Sequence, residues 1–368
     1  MSSAISPPAI SSPGLDDVVA AETVLSHVDG EAGRLIIRGY DLDELAGRWS
    51  YEAVAGLLWS GFAAEDNEAA VKAGLGRARV AAFDTALALL PQARALSPVE
   101  GLRLMLAALP DASPVPAHVL ATAAVPVFAA AIVRQGRGFA PLPPDATLSQ
   151  AEDFLRMARG EAVPAAHARA LDTYMVTVID HGLNASTFAA RVVAATRAGM
   201  ASSVVAGLCA LKGPLHGGAP GPVLDMFDAI GTEAAAGAWL GDALDRGERL
   251  MGFGHRVYKV RDPRADVLKA VAASLKGGSN RVRLAEAVEA AALDLLKARK
   301  QTKPLQTNVE FYTALVLEAL ELPREAFTAV FAAGRVAGWA AHVMEQEQTG
   351  RLIRPQSRYV GPLPRRAA

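Results

Sequence analysis

The chain has 368 residues, 51% hydrophobic and 20% charged, with a formal net charge of −1. That length and apolar fraction suit two ordinary domains, or one large domain with a subdomain, and exclude a generally disordered chain. The near-zero charge excludes a bulk electrostatic grip on nucleic acid or an anionic membrane. The single cysteine, Cys209, excludes an intramolecular disulfide and a multi-cysteine metal site.

In chain order, the N-terminal stretch MSSAISPPAISSPG is a Ser/Pro-rich arm with neither the basic start nor the apolar centre of a signal peptide. Residues 22–28 and 34–38 flank Asp29-Gly30 and predict a small β-hairpin. Helices are predicted over 51–61, 99–109, 151–159, 186–197, 284–300, 312–320 and 326–346, where Ala and Leu alternate with spaced polar residues. The apolar run 119–133 is too short to span a bilayer and contains Pro126, so a soluble, cytoplasmic protein is expected. Ser186 is expected as a helix N-cap, and Cys209, in the apolar stretch 204–211, as a small core residue. No βαβ rhythm appears, so the predicted fold class is all-α with one small hairpin. Gly/Pro-rich loops at 213–222 and 252–263 bracket a segment with its own helices and are expected as hinges.

Zinc-type histidine pairs, a phosphate loop, a dinucleotide fingerprint and a GxSxG elbow are all missing from the sequence. Three loops carry candidate acids and bases. The segment 251–264, MGFGHRVYKVRDPR, sets His255 behind a Gly-Phe-Gly run and crowds Arg256, Lys259, Arg261 and Arg264 after it. A proton donor among fixed cations suits a small polycarboxylate or phosphorylated substrate, although a solvated, charge-rich turn has the same composition. Residues 212–218, KGPLHGG, pin His216 on backbone shaped for close approach to a ligand. Residues 306–310, QTNVE, open a helix. With Asn308 as N-cap, Glu310 falls in the first turn, where the helix dipole favours a carboxylate, whether for catalysis or simply for stability.

Taken with GLDDVVAAETVLS, GRLIIRGYDL, DHGLNASTFAARV and GRLIRPQSRYVGP, these loops resemble the citrate synthase family from about residue 14 to 361. The resemblance implies a helical two-domain homodimer, with a large domain at 1–217 and 322–368 and an inserted small domain at 218–321. It implies condensation of an acyl-CoA with oxaloacetate and hydrolysis of the resulting thioester, with no metal or redox cofactor. On matching motifs, His216 would stabilise the enol or enolate of the thioester and Glu310 would remove the α-proton. His255 would donate to the oxaloacetate carbonyl. His181, Arg264 and Arg335 would hold oxaloacetate, and Arg354 would reach the partner subunit's site. Lys259 and Lys303 stand at positions suited to CoA phosphates. Because the resemblance begins so near the N-terminus, control by NADH through an extra N-terminal domain is not expected.

Three segments depart from the family's pattern. Its usual base is Asp, and the extra methylene of Glu310 would shift the carboxylate by roughly an ångström, a displacement able to cost about a hundredfold in rate. Its common HADHE reads Val178, Ile179, Asp180, His181, Gly182 here, without the first histidine and the glutamate. Its HGGAN becomes HGGAP, with Pro220 after the His216 loop. The resemblance thus allows a citrate synthase using acetyl-CoA, a 2-methylcitrate synthase using propionyl-CoA or an enzyme taking both, and a weakly active paralogue with a regulatory or binding role.

Overall fold

A computed structural model describes residues 13–15, 18–64, 66–216, 220–275, 279–299 and 305–362. Strands β1 (Ser26–Asp29), β2 (Arg34–Ile37) and β3 (Tyr40–Asp41) form an antiparallel sheet in that order, with Ser26 opposite Ile37 and Asp29 opposite Arg34. Everything else regular among the described residues is helical: α1 (Leu42–Leu45), α2 (Tyr51–Trp59), α3 (Glu68–Ala93), α4 (Pro98–Leu106), α5 (Ala117–Gly136), α6 (Gln150–Arg159), α7 (Ala165–Val178) and α8 (Ala185–Ala194). Then follow α9 (Met200–Leu211), α10 (Pro220–Ile230), α11 (Ala236–Asp245), α12 (Pro263–Ser274), α13 (Ser279–Ala298), α14 (Val309–Ala319) and α15 (Phe327–Thr349). The fold is all-α with one small sheet, as the sequence predicts.

Local chemistry sets many of the helix starts. Ser50, Asn67 and Ser149 accept backbone N–H bonds at the heads of α2, α3 and α6. Asp262 caps α12 with Pro263 in its first turn, where a missing N–H costs nothing. Two helices form the centre. α5 packs against α3, α4, α6 and α15, and α15 against α2, α5, α7, α8 and α9. By length and composition α5 could cross a membrane, but its apolar surface is buried among those neighbours as core. Gly338 lets α15 close on the end of α7, since a Cβ there would lie 2.1 Å from the Ile179 carbonyl oxygen.

Several expectations shift. The hairpin begins at Ser26 rather than 22, because the Val24 N–H donates to Glu345 and the Leu25 N–H to Thr23 Oγ1 instead of to a ladder. A third strand extends it. The N-cap of α8 is Asn184, not Ser186: Asn184 Oδ1 accepts from the N–H groups of both Ser186 and Thr187. Cys209 is exposed rather than core, because α9 buries Val204, Gly207, Leu208 and Leu211 on the opposite face. The loop expected at 213–222 ends early, since Pro220 already begins α10, while 217–219 lie outside the described residues.

The architecture that matters for function is a junction. α12 packs on α14 and on α7, α14 packs on α7, and α15 also packs on α7. The C-terminal end of α7, the loop before α12, the head of α14 and the middle of α15 therefore meet.

Candidate active site

The two loops carrying His255 and Glu310 are zipped together by backbone. Gly254 N donates to the Gln306 carbonyl at 2.7 Å and Asn308 N to the Gly252 carbonyl at 2.9 Å, while Asn308 Nδ2 reaches the Gly254 carbonyl at 2.9 Å. Gly252 and Gly254 take φ of +85° and +89°, and a Cβ on either would press into Phe311 or Leu305. Glycine at both positions is what allows the close approach. Asn308, as expected, caps α14 by accepting from the Glu310 N–H.

His255 is held in one tautomer. Its Nδ1 accepts from the backbone N–H of Val257 and of Tyr258, both at 3.0 Å, so the ring proton resides on Nε2. That Nε2 lies 3.4 Å from Nη2 of Arg264. Arg264 is itself pinned by Asp262 through bonds of 2.8 and 3.0 Å, and Asp262 also accepts from the Val309 N–H at the head of α14. Two groups that can only donate thus converge, which makes the space in front of them a place for an electron-rich oxygen. Burial and the Arg264 charge hold the His255 imidazole at about 4, so it donates as a neutral ring.

His181 stands beside it. Its ring packs edge-on against His255, 5.4 Å between centroids, and its Nε2 is 3.1 Å from the Tyr258 hydroxyl. Burial first, then Arg264 and the neighbouring histidine, push its pKa well below the ordinary value.

His216 approaches from the loop after α9. Its Nε2 lies 3.3 Å from the Ser186 N–H, which it shares with Asn184 Oδ1, and 2.8 Å from Ser186 Oγ. Ser186, in the first turn of α8 beneath the Asn184 cap, thus orients this ring. Burial and the charge of Arg335 lower His216 to about 4, again a neutral donor.

Glu310 is buried in the first turn of α14, and its Oε2 has no hydrogen-bond partner. Burial raises its carboxyl to about 7, against the opposing pull of Arg264 and with Asp262 adding to the rise. A carboxyl with one unsatisfied oxygen and a midpoint near neutrality suits a general base. Arg335, only 1% exposed on α15, donates Nε to the Val178 carbonyl at 2.5 Å and lies over the Phe331 ring. Burial lowers it to about 10, so it stays charged near neutral pH.

The structure thus gathers His181, His216, His255, Arg264, Glu310 and Arg335 into one electrostatic cluster. Two other expected residues, Arg354 and Lys259, stand apart. Arg354 is exposed on the irregular segment after α15. Lys259 is exposed and ion-paired with Glu31 of the hairpin turn. Lys303 lies outside the described residues. Arg261 finds a structural partner set in Asp266 and Glu289, tying the loop to α12 and α13. Sequence reading passed over Tyr258, Asp262 and Ser186 as site residues. The first two sit three residues after His255 and two before Arg264, and that spacing was the available signal.

A family sequence model described as "Citrate synthase, C-terminal domain" matches residues 14–356. The chain is 37% identical to the citrate synthase of Haloferax volcanii over 95% of each chain. It is 34% identical to the 2-methylcitrate synthase of Mycobacterium tuberculosis, over 95% of this chain and 90% of the relative. Among solved structures, citrate synthase from Thermoplasma acidophilum, in ternary complex with carboxymethyl coenzyme A and oxaloacetate, superposes with a TM-score of 0.84 at 30% identity, covering 96% of this chain and 97% of that one. With a helical fold of that family and a site built from its motifs, the chain belongs to the citrate synthase family.

Proposed function

We propose that this chain is an acyltransferase that condenses acetyl-CoA with oxaloacetate and hydrolyses the citryl thioester to citrate and CoA. The observation that supports it most is the pairing of two kinds of group. His255 Nε2–H and Arg264 converge as donors, 3.4 Å apart, close to a buried carboxyl with an unpartnered oxygen.

In this reading Glu310 takes the proton from the acyl α-carbon, and neutral His216 donates to the thioester oxygen as enol character develops. His255 donates to the oxaloacetate carbonyl while the new carbon–carbon bond forms. His181, Arg264 and Arg335 fix the keto acid, the guanidinium forks matching its carboxylates. Neutral imidazoles serve well here, because a hydrogen bond that strengthens as charge develops stabilises the transition state more than the ground state. No metal or redox group is required by any step. The reading also includes a homodimer in which the exposed Arg354 completes the partner's site, CoA phosphate contacts from Lys259 and Lys303, and closure of 218–321 over the substrates as a small domain.

A second reading, propionyl-CoA as the acyl donor, has support in the similarity to a 2-methylcitrate synthase and in the Glu at the base position. The two donors differ by one methylene, worth about 1–3 kcal/mol in an apolar pocket. Comparing kcat/KM for acetyl-CoA and propionyl-CoA decides between them: an acetyl preference supports the first reading and a propionyl preference overturns it.

A further inference from the structure

Behind His181 lies a buried polar chain that the reaction steps above do not use. Gly182 N donates to Ser26 Oγ at 2.9 Å, and Ser26 Oγ donates to Asp180 Oδ2 at 2.5 Å. His342 Nε2 lies 3.2 Å from both Asp180 oxygens, and His342 Nδ1 is 3.0 Å from Nη1 of Arg191. Arg191 reaches Glu345 at 2.5 Å, and Glu345 Oε1 accepts from Thr23 Oγ1 and the Val24 N–H. Arg191 can only donate, so His342 Nδ1 must accept and its proton faces Asp180 from Nε2. Asp180 and His342 are completely buried. Although burial opposes it, the bonds from His342 and Ser26 hold the Asp180 carboxyl below its ordinary range.

His181 sits between two residues that this chain clamps: the side chain of Asp180 before it and the backbone N–H of Gly182 after it. Gly182 adopts φ +59°, a left-handed turn that the Ser26 hydroxyl ties down. We propose that Ser26, Asp180 and His342 are positioning residues that set His181 for the keto acid, so that a serine on the N-terminal strand governs oxaloacetate affinity. This rests on the reading above that His181 binds oxaloacetate. The sequence separations, 154 between Ser26 and Asp180 and 162 between Asp180 and His342, explain why no local motif announces it.

Full-length Ser26→Ala, His342→Leu and His342→Gln variants test it, with steady-state kinetics and calorimetric titration of oxaloacetate. Glutamine can accept from Arg191 and donate to Asp180, so it is the conservative rescue. Expected are a rise of about tenfold in the oxaloacetate KM and Kd for Ser26→Ala and His342→Leu, an unchanged acyl-CoA KM, kcat within about threefold, and near wild-type values for His342→Gln. An unchanged oxaloacetate Kd in Ser26→Ala, or equal losses for both substrates that His342→Gln fails to rescue, overturns the proposal. Titration of the wild type keeps the two claims separate. No oxaloacetate binding to wild type refutes the role of His181 itself, whereas binding that Ser26→Ala leaves intact refutes only the positioning chain.

Discussion

Replacing Glu310 by Gln separates what this residue does for catalysis from what it does to the fold. In the folded chain the carboxyl titrates at about 7 instead of the ordinary 4.5, mainly because burial disfavours its charge. Ionising it inside the protein therefore costs about 3 kcal/mol relative to the unfolded chain. Since the folded pKa is the higher one, the wild type is relatively most stable below pH 4.5 and loses this contribution as pH rises towards 7. Above 7 the loss is complete. The amide of Gln has no charge to desolvate, and it leaves a buried polar atom much as the unpartnered Oε2 does. The variant should therefore be inactive and yet more stable, by up to about 3 kcal/mol at pH 8 and by nothing near pH 4.5. With an unfolding entropy of about 2 cal/mol/K per residue, that is a rise in Tm of about 4 °C at pH 8. Thermal unfolding of both proteins at pH 5 and pH 8, at one protein concentration, reads it out. Equal Tm differences at the two pH values would refute the reasoning, and so would wild-type turnover by the Gln variant.

The same carboxyl predicts the pH profile. As a base it must be ionised, so kcat/KM should fall below an apparent pKa of about 7, while His216 and His255, held at about 4, stay neutral throughout; a flat profile from pH 5 to 8 would remove Glu310 as the base. Arg335→Lys should raise the oxaloacetate KM about a hundredfold, because a lysine keeps the charge but loses the fork, and an unchanged KM would take Arg335 out of the substrate site. Arg354→Ala should be nearly inactive alone, as should Glu310→Gln. Subunits of the two, unfolded together and reassembled, should recover about a quarter of wild-type activity, because each mixed dimer holds one intact site. Recovery no greater than the sum of the two variants would show that Arg354 does not serve the partner's site.

What was legible in the sequence followed from local chemistry. Gly252, His255, Arg264, Asn308 and Glu310 lie in two short loops or the first turns of the helices they open, where residue types already limit what the backbone can do, and the structure joins those loops through a few backbone bonds. The all-α class followed from composition. Helix limits were weaker wherever two capping residues compete. At 184–186 both Asn and Ser are good caps, and only the geometry of the His216 loop shows that Ser186 is used elsewhere. Cys209 misled because an apolar helix segment does not reveal which of its faces is covered. Least legible was the chain behind His181, whose members come from the first strand, the end of α7, α8 and α15. Each of them alone reads as an ordinary polar residue, and burial is what gives their bonds consequence.

The most direct test of the account is release of free CoA by the purified protein, followed with a thiol reagent in the presence of oxaloacetate and either acetyl-CoA or propionyl-CoA. The account predicts release that needs oxaloacetate, with the higher kcat/KM for acetyl-CoA and citrate formed in equal amount to CoA. Absence of oxaloacetate-dependent release with both donors would contradict it.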